Sequence, residues 1–245
     1  MSNEDPMDCV VEFNRLVKDL ITPQLKEIGF KRKGLNFARN SNDIIQTFGI
    51  QKERFNSSDH LSFKLNIGLL SEEIFREILK KEMPPFPLEV FSTIRLFPDS
   101  VSPKCKNKHT FSVYDEATSN EIFARVQNEI EHYYIPFFEK YNSTNTWAEL
   151  LDLNLKGLFI VPAIQRFLVY LKIGRPIQAA EALRNTYSFS LLEHSKTLKY
   201  YEGRLKGKRL HNATSISRES IEQIERFAEK YHISLDKDLA SKLSS

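Results

Sequence analysis

The shortages in this 245-residue sequence exclude more than its abundances do. Two cysteines, Cys9 and Cys105, are too few for a disulfide framework, so both are expected as reduced thiols. Eight glycines and ten prolines exclude collagen-like and low-complexity classes and leave no Gly-rich stretch to cradle a phosphate. Net charge is nearly absent: 35 Lys+Arg against 32 Asp+Glu leave +3, and 41% of residues are hydrophobic. That balance excludes a disordered chain. The longest apolar run, Leu158 to Gln165, stops at Arg166, well short of the roughly 20 residues of a membrane span. The opening Met-Ser-Asn-Glu-Asp-Pro-Met-Asp is acidic where a signal peptide would be basic and then apolar. A cytoplasmic protein is expected, in which the sequons at Asn56, Asn142 and Asn212 carry no sugar.

Catalytic and metal motifs are missing as well. There is no His-Glu-x-x-His, Gly-x-Ser-x-Gly, P-loop or Gly-x-Gly-x-x-Gly. Cys105 and His109 have a ligand-compatible spacing, but a zinc site needs three or four ligands. No metal and no cofactor is expected, and the reading leans away from an enzyme.

What is present is pattern. Val10, Phe13, Val17, Leu20, Ile21 and Leu25 recur at spacings of three and four, predicting a helix over Asp8 to Ile28. Pro23 should kink or break its last turns. Strand-like runs follow at Leu35–Ala38, Ile44–Gln51 and Leu61–Leu69. In the last, Leu61, Phe63, Leu65, Ile67 and Leu69 alternate with Ser62, Lys64, Asn66 and Gly68, the period of a strand with one face buried. Turn residues at 40–43 and 56–59 make an antiparallel meander the simplest arrangement. A helix capped by Ser71, strands at Phe91–Phe97 and Thr110–Tyr114, and a helix over Glu116–Tyr134 interrupted by Pro136 complete the first half, with Pro98–His109 read as a surface loop. From about Trp147 helices alone are expected: Trp147–Leu153, Gly157–Ile173, Ile177–Thr186, Leu191–Leu205 and Ser217–His232, with Gly174-Arg175-Pro176 as a stop and restart. The fold class is therefore α+β, an antiparallel sheet with helices packed on one face, followed by an all-helical C-terminal extension. The domains are expected at 1–142 and 143–245. Charge divides the same way, with 19 basic and 21 acidic residues before the boundary and 16 and 11 after it.

The run Gly29-Phe30-Lys31-Arg32-Lys33-Gly34-Leu35-Asn36-Phe37-Ala38-Arg39, followed by Ile50-Gln51-Lys52, Phe63-Lys64-Leu65-Asn66-Ile67-Gly68 and Tyr134-Ile135-Pro136-Phe137-Phe138, resembles a bacterial family known as domain of unknown function 4304. The resemblance covers about residues 8–142. It implies an α+β domain and no established activity, and it carries over no catalytic residue.

Three functional readings remain open. By the period-two rule Asn36, Ala38, Thr47, Gly49, Gln51, Lys64, Asn66 and Gly68 share one face. Its small residues form a low floor with amide and cationic groups above it, suited to a ligand groove or a partner helix, or else simply solvated. Arg32 and Arg95 are candidates to join it. The leading reading is a non-enzymatic adaptor or immunity-type protein that docks another protein through this face (Arg32, Asn36, Gln51, Lys64, Asn66, Arg95) or through the helical extension. The second is binding of nucleic acid or another polyanion through Lys31, Arg32 and Lys33 together with Arg204, Lys206, Lys208 and Arg209. The third is an unrecognised enzyme with a pocket where Arg95, His60, Asp59 or Glu53 converge.

Overall fold

The computed structural model describes residues 7–96, 110–153, 155, 158–160 and 163–236, with Lys208 by its backbone alone. The chain forms two compact units, Met1–Val161 and Pro162–Ser245, a later division than the one expected after residue 142.

The first unit is built on a seven-stranded antiparallel sheet of β1 (Lys31–Lys33), β2 (Asn36–Ser41), β3 (Ile44–Lys52), β4 (Leu61–Leu70), β5 (Ile94–Leu96), β6 (Phe111–Val113) and β7 (Leu158–Ile160). The order is β1-β2-β3-β4-β5-β7, with β6 also pairing β4. β5 takes the Ile67–Leu69 end of β4 and β6 the Leu61–Phe63 end. The alternation seen in the sequence fixes the register. Phe37, Phe48, Phe63 and Phe111 lie on one face and are fully buried, each worth about 1.5–3 kcal/mol relative to exposure. A one-residue slip would turn all of them to the other side.

Two long helices cover that apolar face. Helix α1 (residues 9–27) sets Phe13 edge-on to Phe63, with ring centroids 5.2 Å apart. A short helix, α2 (Glu72–Leu79), is capped by Ser71 as expected. Helix α3 (residues 116–140) sets Tyr134 against Phe48 at 5.9 Å. Neither proline breaks its helix. Each follows a π-helical turn, Leu16–Ile21 before Pro23 and Ile130–Tyr134 before Pro136. The wider turn shifts the hydrogen-bond frame ahead of the proline, so the missing N–H is absorbed there and the helix runs on. In α1 the Thr22 hydroxyl also donates to the Val17 carbonyl at 2.5 Å. The buried Gln46 locks α3 to the sheet, donating to the Phe138 and Tyr141 carbonyls at 2.5 and 3.0 Å. The unit also contains helix α4 (Trp147–Asp152), with Trp147 fully buried.

The sequence expectations need three revisions in this unit. Lys31–Lys33, where the sequence shows no strand pattern, is an edge strand. It pairs β2 through a two-residue connection in which Gly34 holds φ at +61°. The expected helix from Gly157 begins instead at Ala163, because Leu158–Ile160 pairs with β5. Pro162 already disfavours a helix running through that point. The strand expected at Phe91–Phe97 is a 3₁₀ turn, Glu89–Phe91, followed by β5.

The second unit holds α5 (Ala163–Lys172), α6 (Pro176–Glu202) and α7 (Lys208–Lys230). Gly174 at φ +72° ends the first and Pro176 opens the second, as the stop-and-restart reading requires. The two helices expected at 177–186 and 191–205 are one. α6 and α7 lie antiparallel: Tyr187 donates to Glu225 at 3.0 Å, His194 Nδ1 meets the Ser217 hydroxyl at 2.7 Å, and Arg184 reaches the Ser234 carbonyl at 3.1 Å. Phe167 of α5 packs on Phe227 and Tyr231. No helix among the described residues is long and apolar enough to cross a membrane.

Candidate functional site

Strand register brings the expected polar set onto one face of the sheet, opposite the helices, in three cross-strand rows. Lys31, Ala38, Thr47, Gly68, Arg95 and Phe159 form one. Lys33, Asn36, Gly49 and Asn66 form the second, and Gln51 with Lys64 the third. Arg95 therefore joins the face. Arg32 does not. Its partner across β1 and β2 is Phe37, on the apolar side, and its guanidinium donates to the Gly34 carbonyl at 2.8 Å and the Thr22 hydroxyl at 2.9 Å.

The middle of the first two rows, around Thr47, Gly68, Asn36 and Gly49, is covered by the chain itself. Residues 89–92 cross β2, β3 and β4 as a strap. Ser92 and Thr47 share a hydrogen bond at 2.7 Å, and the Glu89 N–H donates to Asn36 Oδ1 at 3.4 Å. Arg95 holds the Glu89 carboxylate with two bonds of 2.6 and 2.9 Å. Glu89 is only 2% exposed, so this is a buried, bidentate pair. The glycine floor has a clear purpose. A Cβ at Gly68 would lie 2.0 Å from Ser92 Oγ, and one at Gly49 would lie 2.9 Å from Glu89 Cβ. The low surface seats the protein's own strap, which corrects the expectation of a groove along the whole face.

The third row lies beyond the strap. Gln51 is exposed and Lys64 half-buried, and next to them Asn66, at the β4 end of the second row, is buried at 4% exposure. Asn66 donates Nδ2 to Gln51 Oε1 at 3.1 Å, while its Oδ1 is buried with no hydrogen-bond partner. Lys64 pairs with Glu53 at 2.6 Å, both side chains about one-third exposed (33% and 36%). Such a half-exposed pair contributes little and exchanges readily. The open end thus offers an exposed amide, a half-exposed ammonium–carboxylate pair, and beside them a desolvated polar atom lacking a partner.

The other expected residues do not gather into sites. Asp59 accepts from the Ser57 hydroxyl at 2.5 Å, which holds its carboxyl below the usual carboxylate range. His60 sits 3.3 Å from the Ser62 hydroxyl. With Glu53 on Lys64 and Arg95 on Glu89, the four groups of the enzymatic reading do not converge. Lys31 and Lys33 remain exposed on β1, but without Arg32 they are a charged edge strand of the kind that resists further strand pairing. Arg204, Lys206 and Arg209 are exposed in the second unit, and Lys208 there is described by its backbone alone. Cys9 is fully buried and burial pushes its thiol up, so it packs as an apolar group. Cys105 and His109 lie outside the described residues. Among those described, no three of His, Cys, Asp and Glu group to hold a metal ion.

Sequence reasoning also missed a cleft of about 290 Å³ lined by Gly29, Arg39, Asn40, Glu139 and Asn142, among others. Arg39 lies over Phe30 and Phe138 and donates to Gln46 Oε1 at 2.5 Å and to the Ile28 carbonyl. Burial pulls its pKa down. Two of its three nitrogens thus serve the fold, joining β2 to the end of α1.

Residues 21–140 match the family described as domain of unknown function (DUF4304). No curated protein and no solved structure matches the chain.

Proposed function

Since the sheet-bearing part of the chain belongs to the DUF4304 family through residues 21–140, a family whose description gives no activity, we propose from the site alone that this is a binding protein. In this reading it acts as an adaptor or immunity-type protein, in a cytoplasmic setting, docking an extended segment of a partner protein across Gln51, Lys64 and Asn66. The observation that carries the reading is the buried Asn66 amide with one polar end unpartnered. Leaving such an atom unmade costs about 1–3 kcal/mol, a cost retained without benefit in the free protein and removed when a backbone N–H arrives. Gln51, exposed and held by the single bond from Asn66, swings aside to admit it. Lys64 and Glu53 then re-pair with backbone or charged groups of the segment. The strap contributes by holding the neighbouring rows rigid, so that the open row is presented on a fixed floor.

The test is affinity capture from the producing cells with the full chain and with Gln51→Ala, Lys64→Ala and Asn66→Ala, using Lys196→Ala in the second unit as a control. The reading expects a protein that is retained by the parent and the control and lost from the Asn66 and Gln51 variants. Retention by all variants alike would overturn it.

A further inference from the structure

The second unit carries its own charge pattern, independent of the sheet. Between residues 196 and 218 the sequence holds seven Lys or Arg and a single acid, Glu202, whereas residues 219–236 hold five acids against two bases. The structure turns that sequence block into a place. α6 and α7 are antiparallel and joined by the short connection 203–207, so the basic stretch forms the tip of a helical hairpin and the acidic stretch lies further down α7. At the tip Lys199, Arg204, Lys206 and Arg209 are exposed, and none makes a salt bridge among the described residues. Beside them the Tyr200 ring is 55% exposed, with the Arg204 guanidinium 4.1 Å from its centroid and the Tyr201 ring edge-on at 4.8 Å.

Cations that keep no acidic partner are the arrangement for neutralising successive phosphates. An exposed ring already set against a guanidinium adds a platform on which an unpaired base stacks. The geometry points to the α6–α7 hairpin tip as a binding site for single-stranded nucleic acid, with Lys199, Arg204, Lys206 and Arg209 on phosphates and Tyr200 against a base. A duplex hides its base faces and would leave Tyr200 idle. An anionic membrane would favour a tip with apolar side chains to insert, yet the connection itself, Gly-Arg-Leu-Lys-Gly, supplies only a half-buried Leu205.

Fluorescence anisotropy of the full chain with a labelled oligothymidine, a labelled hairpin duplex of equal charge, and vesicles containing phosphatidylserine tests this. The single strand should bind most tightly at low salt. Its affinity should fall with a log–log salt slope of about −2 to −3, as expected for three to four phosphates neutralised on a single strand. The triple change Arg204→Gln, Lys206→Gln, Arg209→Gln should weaken binding at least about tenfold and flatten that slope. Tyr200→Ala should weaken binding about tenfold while keeping the slope. Lys31→Gln with Lys33→Gln in the first unit should change nothing, and circular dichroism should confirm that each exposed substitution leaves the helices intact. Absence of single-strand binding at low salt, equal or tighter binding of the duplex, binding to vesicles alone, or indifference to the triple change would each overturn the assignment. Loss of partner capture by the Asn66 variant bears on the sheet face only, so either conclusion can fail without the other.

Discussion

Adding one methyl group at Gly68 tests whether residues 89–92 are a structural roof on the sheet. Gly68 has an ordinary strand conformation, so alanine there costs nothing in backbone strain, and the penalty isolates the contact above it. Its Cβ would meet Ser92 Oγ at 2.0 Å, Ser92 Cβ at 2.5 Å and Thr47 Oγ1 at 2.7 Å. Rotating the serine relieves only the first, because Cβ rides on the strap's backbone. The strap must lift, breaking the Ser92–Thr47 bond and loosening Glu89 beside it. Overpacking of this kind costs about 1–3 kcal/mol. For a unit of this size 2 kcal/mol lowers the melting temperature by about 4–8 °C. The assay is convenient, because Trp147 is the only tryptophan in the sequence and is fully buried in the first unit. Its fluorescence therefore reports unfolding of that unit. Gly68→Ala combined with Ser92→Gly should recover about half of the loss, since the second change removes both clashing Ser92 atoms at the cost of a more flexible strap. A Gly68→Ala protein within about 0.5 kcal/mol of the parent, a change typical of an unconstrained surface site, would refute the reasoning.

Other outcomes follow from the same contacts. Arg95→Ala strands the buried Glu89 carboxylate and should cost about 3 kcal/mol in urea unfolding followed by Trp147; a loss under about 1 kcal/mol would mean the pair does not hold the strap. Asp115 caps α3 by accepting from the Thr118 N–H at 2.7 Å, and this bond is the main reason its carboxyl titrates below the usual range. A carboxylate with a depressed folded-state pKa stabilises above its unfolded value and loses that contribution as pH falls through the folded one. The stability gap between the parent and Asp115→Asn should therefore be constant near neutrality and close below about pH 4. His194, facing Ser217 and the Arg218 charge, is pulled down chiefly by burial and then by that charge. Its neutral form is the one the hairpin favours, so helicity of the second unit should become acid-sensitive below about pH 6.5, and His194→Gln should remove that sensitivity when circular dichroism is followed against pH.

Much of the sheet was legible because its apolar residues are strictly alternating. Leu61 through Leu69 on β4 settle which neighbours share a face, and pairing then carries Asn36, Gln51, Lys64 and Asn66 along with them. What stayed hidden was whatever depends on distant pairing. Lys31–Lys33 has no apolar alternation, so only β2 makes it a strand. Leu158–Ile160 reads equally as the start of an apolar helix until β5 is placed beside it. The prolines misled because local rules count a lost N–H, whereas a π turn one step earlier removes the conflict. The roof over Gly49 and Gly68 was the largest omission. A lone acid, Glu89, after a Pro-rich stretch gives no local sign that it will be buried on Arg95, although a glycine on the same face of each of two neighbouring strands does signal close backbone approach. Gln46 had the opposite disguise, an amide in an apolar column whose partners are carbonyls at the end of α3.

The docking site requires Asn66 to be an amide that the fold tolerates rather than uses. Urea unfolding of Asn66→Ala, read by Trp147 fluorescence, measures this most directly. Removing an orphaned buried polar atom gains about 1–3 kcal/mol, against about 1 kcal/mol lost with its one bond to exposed Gln51, so the variant should be no less stable than the parent. A loss of about 2 kcal/mol or more, the signature of a satisfied buried group taken from its partners, would make Asn66 part of the fold's own hydrogen bonding and contradict the docking site built on it.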